Sequence, residues 1–158
     1  MPASLHFKEL LRSLNEHQVK YLIVGAYAVM KYTEPRYTKD LDIWIEPTRE
    51  NARRVFAALK EFGAPLSDVT PEDFTKTDLI FQLGLAPHRV DILMAVEGLD
   101  FAKAWERQVQ ASFEDLTMIV VCKEDLLISK EAAGRPQDLI DADALRASND
   151  FAKRESKD

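Results

Sequence analysis

Hydrophobic positions along the chain change period several times, and each change marks an element. Leu5, Leu10, Leu11 and Leu14 recur at helical spacing, which predicts an opening amphipathic helix over residues 5–17. Tyr21–Val24 is a continuous apolar run ending at Gly25, the pattern of a short buried strand. Ala26–Tyr32 fits a helix of small residues packed close to the sheet, and Thr33–Tyr37, with Pro35, reads as a loop. The next run, TKDLDIWIE at 38–46, alternates as a strand does and stops at Pro47. Alternation puts Leu41, Ile43 and Ile45 on one face and Asp40, Asp42 and Trp44 on the other. Two like charges about 6–7 Å apart on a half-buried strand repel, so they need either open solvent or a counter-charge.

Thr48 is an N-cap for a helix over 49–62, with Ala52, Val55, Phe56 and Leu59 on one face and Gly63 closing it. Residues 64–76 are rich in turn formers. Asp78–Leu83 and Arg89–Ala95 are apolar runs joined by GLAPH, which predicts a hairpin. A helix near 100–108 follows, then strand-like residues ending in TMIVV at 117–121. The last section reads as two helices broken at Gly134-Arg135-Pro136, followed by a charged, frayed tail after about Asn149. Internal repeats and low-complexity segments are absent from the sequence.

At 158 residues, 46% hydrophobic and 30% charged, the chain has the size and composition of one globular domain with a real core. The run LIVGAYAVM at 22–30 falls short of the ~20 residues that span a bilayer, so no membrane partner is expected. The N-terminus has no basic flank followed by an apolar stretch, hence no visible secretory signal. A single cysteine, Cys122, excludes an internal disulfide and agrees with a cytoplasmic location. The net charge of −6 counts against indiscriminate nucleic-acid binding. His6, His17 and His88 are scattered, without zinc-ligand spacing.

Asp91, in HRVDILMAV, is flanked by Val90 and Ile92, so a third aspartate lies in a strand otherwise suited to a core. If the strands are neighbours, Asp40, Asp42 and Asp91 converge on one patch that is unfavourable without a cation. Magnesium suits such a patch: it takes oxygen ligands and completes its shell with water and substrate phosphates. Two such ions can bind the attacking and departing oxygens of an in-line phosphoryl displacement. Asp91 could also accept a proton from an attacking hydroxyl. The plainer reading of an isolated D-x-D is a solvated strand face. Gly25, between strand and helix, offers backbone amides to phosphate oxygens, or simply lets the two elements pack closely.

In their order, LIVGA, KDLDIWI and RVDILM resemble the nucleotidyltransferase superfamily that includes DNA polymerase beta. AYAVMKYTEPRYTKDLDI is similar to small bacterial members, in which R-x-T-x-D-h-D (h hydrophobic) is common. APHRVDILMAVEGLDFAKAWER and DLLISKEAAGRPQDLIDADAL look like later segments of stand-alone members, including relatives of toxin–antitoxin nucleotidyltransferases. The resemblance spans roughly residues 20–146. It implies an α+β fold, a mixed sheet flanked by helices with a C-terminal helical segment. The domain is placed at 1–150, with a core about 20–121, C-terminal helices about 123–147, and a tail at 151–158. It also implies two Mg²⁺ ions and a nucleoside triphosphate donor, with Asp40, Asp42 and Asp91 as catalytic acids and metal ligands and Gly25 against the triphosphate. Ala26 departs from the pattern: many members have Ser or a second Gly there, and a side-chain phosphate contact is lost.

A triphosphate needs further cations. Arg36, Thr38 and Lys39 precede the D-x-D, and Arg89 shares the Asp91 face by alternation. Lys130 and Arg135, in the segment resembling the family's C-terminal motif, are the phosphate-binding candidates there, with Asp138 as a secondary site residue. For each of these cations an exposed charge is the plain alternative. Asp138 and Asp141, one turn apart, equally suit the dipole of a helix start. Trp44 could stack on a base or simply pack, and Cys122 has no chemical task. The expected activity is transfer of a nucleoside monophosphate to a hydroxyl of a protein, an RNA or a small molecule. The alternative is a catalytically silent nucleotide- or partner-binding module, paired with a cognate toxin or antitoxin.

Overall fold

The apolar runs assemble into a six-stranded mixed sheet with helices around it. The computed structural model describes residues 2–36, 38, 40–85 and 88–156. In chain order the elements are α1 (Pro2–Glu16), β1 (Tyr21–Val24), α2 (Gly25–Tyr32), β2 (Asp40–Ile45), α3 (Arg49–Phe62), β3 (Ile80–Leu85), β4 (His88–Leu93), α4 (Phe101–Glu106), β5 (Val109–Phe113), β6 (Leu116–Val120), α5 (Lys123–Ala133) and α6 (Pro136–Ser156). A short 3₁₀ turn, Pro71–Thr75, lies in the turn-rich segment and buries Phe74. Strand order is β3-β4-β2-β1-β6-β5. The β1–β2, β3–β4 and β5–β6 pairs are antiparallel, while β2–β4 and β1–β6 are parallel.

Local chemistry explains the boundaries. Thr48 accepts a hydrogen bond from the Asn51 amide at the start of α3, and Gly63 closes that helix at φ +99°. Gly134, at φ +67°, ends α5, and Pro136 opens α6. The α1 leucines at 10, 11 and 14 join Phe7 in the core, where α1 packs on α3.

The structure refines four expectations. Trp44 lies on the face of the aspartates by alternation and takes the packing reading, not the stacking one. It is buried against Phe101, with ring centroids 5.0 Å apart edge to face, because α4 covers that end of β2. The strand-like residues that end in TMIVV form two strands, β5 and β6, paired as a hairpin and turned at Glu114 with φ +58°. The strand expected over 38–46 begins at Asp40, and α6 runs past the expected tail boundary to Ser156. Ala86 and Pro87, in the expected GLAPH turn, lie outside the described residues. Among the described residues no helix is long and apolar enough to cross a membrane.

Candidate active site

The parallel pairing of β2 with β4 sets the site. Its register places Asp42 opposite Asp91 and Asp40 opposite Arg89. Strand alternation then puts all three acids and Arg89 on one face of two adjacent strands. On the other side β1 pairs with β2 so that Val24 faces Asp42, which brings the turn at Gly25 directly over that carboxylate. Gly25 adopts φ +69°, and a Cβ there would overlap the Asp42 carboxyl group. The glycine thus meets two requirements, a left-handed backbone and close approach to an acid.

Asp42 lies at the floor of a cleft of about 390 Å³ that Gly25 also lines. One wall comes from the sheet and the segment after β4, with Ile80, Leu93 and Val96; the other comes from α5, its link to α6 and the start of α6, with Ser129, Lys130, Arg135 and Asp138. Burial pushes the Asp42 carboxyl up to about 6, the negative charges of Asp91 and Asp40 add to the shift, and Lys130 and Arg89 oppose it. Helix α2 begins above this floor with Val24 at its N-cap and no side-chain cap, so its first amides are left to another acceptor.

Arg89 modifies the expected convergence of carboxylates. Its Nη2 lies 3.3 Å from Asp40 Oδ2, and its Nε lies 3.0 Å from Asp91 Oδ1. Nη2 also donates to Asp91 Oδ2 at 3.3 Å. The Nε–H is not aimed at Oδ1, so that buried carboxylate oxygen receives no hydrogen bond despite its cationic neighbour. With Asp40 and Asp91 drawn to Arg89, no three His, Cys, Asp or Glu side chains among the described residues stand gathered as a ready ligand set. The donor chemistry still fits a hard cation: three carboxylates share a face, one buried oxygen has no hydrogen bond, and one carboxyl has its pKa raised by burial and then by its acidic neighbours.

A matching family gives this geometry its context: the family described as "Nucleotidyltransferase of unknown function (DUF6036)" matches residues 5–153. The chain belongs to this nucleotidyltransferase family. No curated protein sequence matches it. Among solved structures, this nucleotidyltransferase is similar to the lincosamide antibiotic adenylyltransferase LnuA in its lincomycin-bound form, with a TM-score of 0.61 and 16% identity. That match covers 90% of this chain and 96% of the other, and it shows a shared fold.

The remaining expected residues divide into those in the cleft and those held elsewhere. Lys130 is in the cleft and mostly buried, not on a solvated helix face. Its Nζ lies 3.4 Å from Asp138 Oδ1 and 3.2 Å from Asp141 Oδ2. Arg135 lines the mouth and pairs with Asp138 through Nε at 2.7 Å. Arg36 is not at the cleft: its guanidinium forks onto Asp141, at 2.6 and 3.3 Å, because that buried carboxylate needs more than one donor. Thr38 uses its hydroxyl on the Asp40 amide at 3.3 Å, and Ala26 sits in the first turn of α2 without lining the cleft. Lys39 lies outside the described residues. Cys122 caps α5, its Sγ accepting from the Asp125 amide at 3.4 Å.

Asp141 is the residue whose importance the sequence understated. Besides Arg36 and Lys130 it accepts from Gln137 Nε2 at 2.9 Å, so one carboxylate joins the loop before β2, α5 and α6. The i, i+3 spacing of Asp138 and Asp141 was its one visible signal. Burial pushes both carboxyls up, but Arg135 and Lys130 around Asp138, and Arg36, Gln137 and Lys130 around Asp141, outweigh it and leave both lowered. Their contribution to stability is therefore present above the ordinary aspartate value of 3.8 and lost as pH falls below it. Asp141→Ala leaves Lys130 short of a partner and is expected to cost about 3 kcal/mol in urea unfolding at pH 7. That difference from the unmutated chain should shrink on going to pH 3.

Proposed function

We propose that the chain transfers a nucleoside monophosphate from a nucleoside triphosphate to an acceptor hydroxyl. A bond forms between the acceptor oxygen and the α-phosphorus, the bond from that phosphorus to the α–β bridging oxygen breaks, and pyrophosphate leaves. The observation that carries the reading is the β2–β4 register, with Asp42 opposite Asp91 at the edge of a cleft walled by Lys130 and Arg135.

Asp40, Asp42 and Asp91 are the residues that would hold magnesium. When bound, magnesium neutralises phosphate charge and favours in-line displacement. The chain's own groups do the rest. The uncapped first amides of α2 donate hydrogen bonds to phosphate oxygens, aided by the helix dipole. Lys130 and Arg135 face the departing phosphates from the opposite wall. The Asp91 carboxylate takes the proton of the attacking hydroxyl. Ile80, Leu93 and Val96 offer the base an apolar wall that excludes water. With backbone amides and Lys130 available, Ala26 costs the site one hydroxyl contact and not its phosphate affinity.

For the acceptor, the acidic composition leans away from RNA. The fold shared with the lincosamide antibiotic adenylyltransferase LnuA supports a small hydroxylated molecule. One observation favours the silent-module alternative: Arg89 already compensates two of the acids. Neither the family nor the structural likeness bears on a toxin–antitoxin pairing. Incubation with each α-labelled triphosphate, Mg²⁺ and a cell extract separates the readings. Label should pass to an acceptor with the unmutated chain and not with Asp91→Asn. Triphosphate bound without transfer from either would support the module.

A further inference from the structure

Arg89 occupies the place where a cation is needed, and it does so without being locked there. Its side chain is 47% exposed, and its Nη2 is 3.3 Å from both Asp40 Oδ2 and Asp91 Oδ2. Cross-strand register fixes this: Arg89 is the partner of Asp40 on β2 and the i−2 neighbour of Asp91 on β4. A guanidinium therefore bridges the two strands over two of the carboxylates that would hold a divalent ion. Asp42, the third acid, bears the repulsion of both neighbours, which Lys130 and Arg89 offset only in part through space.

We infer that Arg89 is a resident, displaceable counter-cation that competes with divalent metal ions for Asp40 and Asp91, and so sets the threshold at which ions enter. The inference rests on the reading of the acids as an ion site. Its physical basis is simple. Without Arg89 three carboxylates on adjacent strands repel one another, so the guanidinium supports the protein when ions are scarce. For an ion to bind, the pairs with Asp40 and Asp91 must open. The guanidinium is half-exposed and its pair with the exposed Asp40 is weak, whereas Asp91 is only 14% exposed; a cation that reaches solvent on one side can be displaced, and the competition is measurable. Arg89 is thereby reassigned from a phosphate contact to a gate on ion entry.

The test is Mn²⁺ binding by isothermal calorimetry, with the full chain and no nucleotide, in the unmutated protein and in Arg89→Gln. Arg54→Gln, which loses a surface cation paired with Glu50 far from the acids, controls for net charge. Arg89→Gln should bind Mn²⁺ about tenfold more tightly, the cost of opening the two pairs expressed as affinity. Its melting temperature should fall without Mn²⁺ and meet the unmutated value at saturating Mn²⁺. Arg89→Lys, which keeps a cation but loses the fork, should show a smaller gain and serves if the glutamine variant folds poorly. Unchanged or weaker Mn²⁺ affinity in both variants, with binding by the unmutated chain intact, overturns the inference alone. Mn²⁺ binding that is absent from every variant, or unaffected by Asp42→Asn, overturns the ion site and the inference with it.

Discussion

Replacing Asp42 by asparagine is expected to stabilise the protein at pH 8 in the absence of divalent ions while abolishing nucleotidyl transfer. The Asp42 carboxyl is raised by burial, and by Asp91 and Asp40, from 3.8 to about 6. A group raised in the folded state contributes stability that is fully present below pH 3.8 and lost as pH rises through about 6. At pH 8 the loss is complete, about 2–3 kcal/mol from a shift of that size in a mostly buried group. Asparagine keeps the shape without the charge and escapes it. Urea unfolding at pH 5 and pH 8 should show the unmutated chain weakening with pH and the variant holding level. Mg²⁺ should recover much of the loss in the unmutated chain and little in the variant. Transfer should fall about a thousandfold or more, since the charge repelled in the ion-free fold is the one the reaction uses. A destabilised asparagine variant at pH 8 would mean that the carboxylate is satisfied by its surroundings.

Gly25→Ala should be among the most damaging small substitutions in the chain. At φ +69° a non-glycine residue costs about 1–2 kcal/mol. The added methyl also overlaps the Asp42 carboxyl group, which must turn away from the cleft floor. A total loss of about 2–4 kcal/mol is expected in urea unfolding, with transfer falling further than lost stability explains. The two costs can be separated in a double-mutant cycle with Asp42→Ala. Removing the carboxyl makes room for the methyl but leaves the backbone strain, so the pair should be less destabilising than the sum. Strict additivity would place the Asp42 side chain elsewhere in solution.

Much of this was legible in the sequence because local rules and tertiary packing agree. Thr48 and Gly63 bounded α3, and Gly134 with Pro136 divided α5 from α6, through capping chemistry that needs no knowledge of neighbours. The ordered apolar runs around Gly25, Asp40, Asp42 and Asp91 indicated which strands bear the acids. What the sequence could not supply was contact across strands. That Asp42 stands opposite Asp91, and Asp40 opposite Arg89, is a property of the parallel β2–β4 register, which no turn encodes. Alternation left open whether Trp44 packs or stacks on a base, and α4 decides it by bringing Phe101 over that end of the sheet. The β5–β6 turn went unseen because Glu114 takes the left-handed conformation that glycine or asparagine would have announced. Arg36 looked like an exposed cation, and Lys130 as much a solvated cation as a phosphate contact, since the buried Asp141 that holds both is far from Arg36 in sequence.

The claim beneath the whole reading is that the face shared by Asp42 and Asp91 binds a divalent ion together with a nucleoside triphosphate. Calorimetric titration with a non-hydrolysable α,β-methylene triphosphate, with and without Mg²⁺, tests it independently of any acceptor. Binding should require Mg²⁺ in the unmutated chain and be lost in Asp42→Asn and Asp91→Asn variants that remain folded. Equal binding without Mg²⁺, or unchanged binding in both variants, would contradict it.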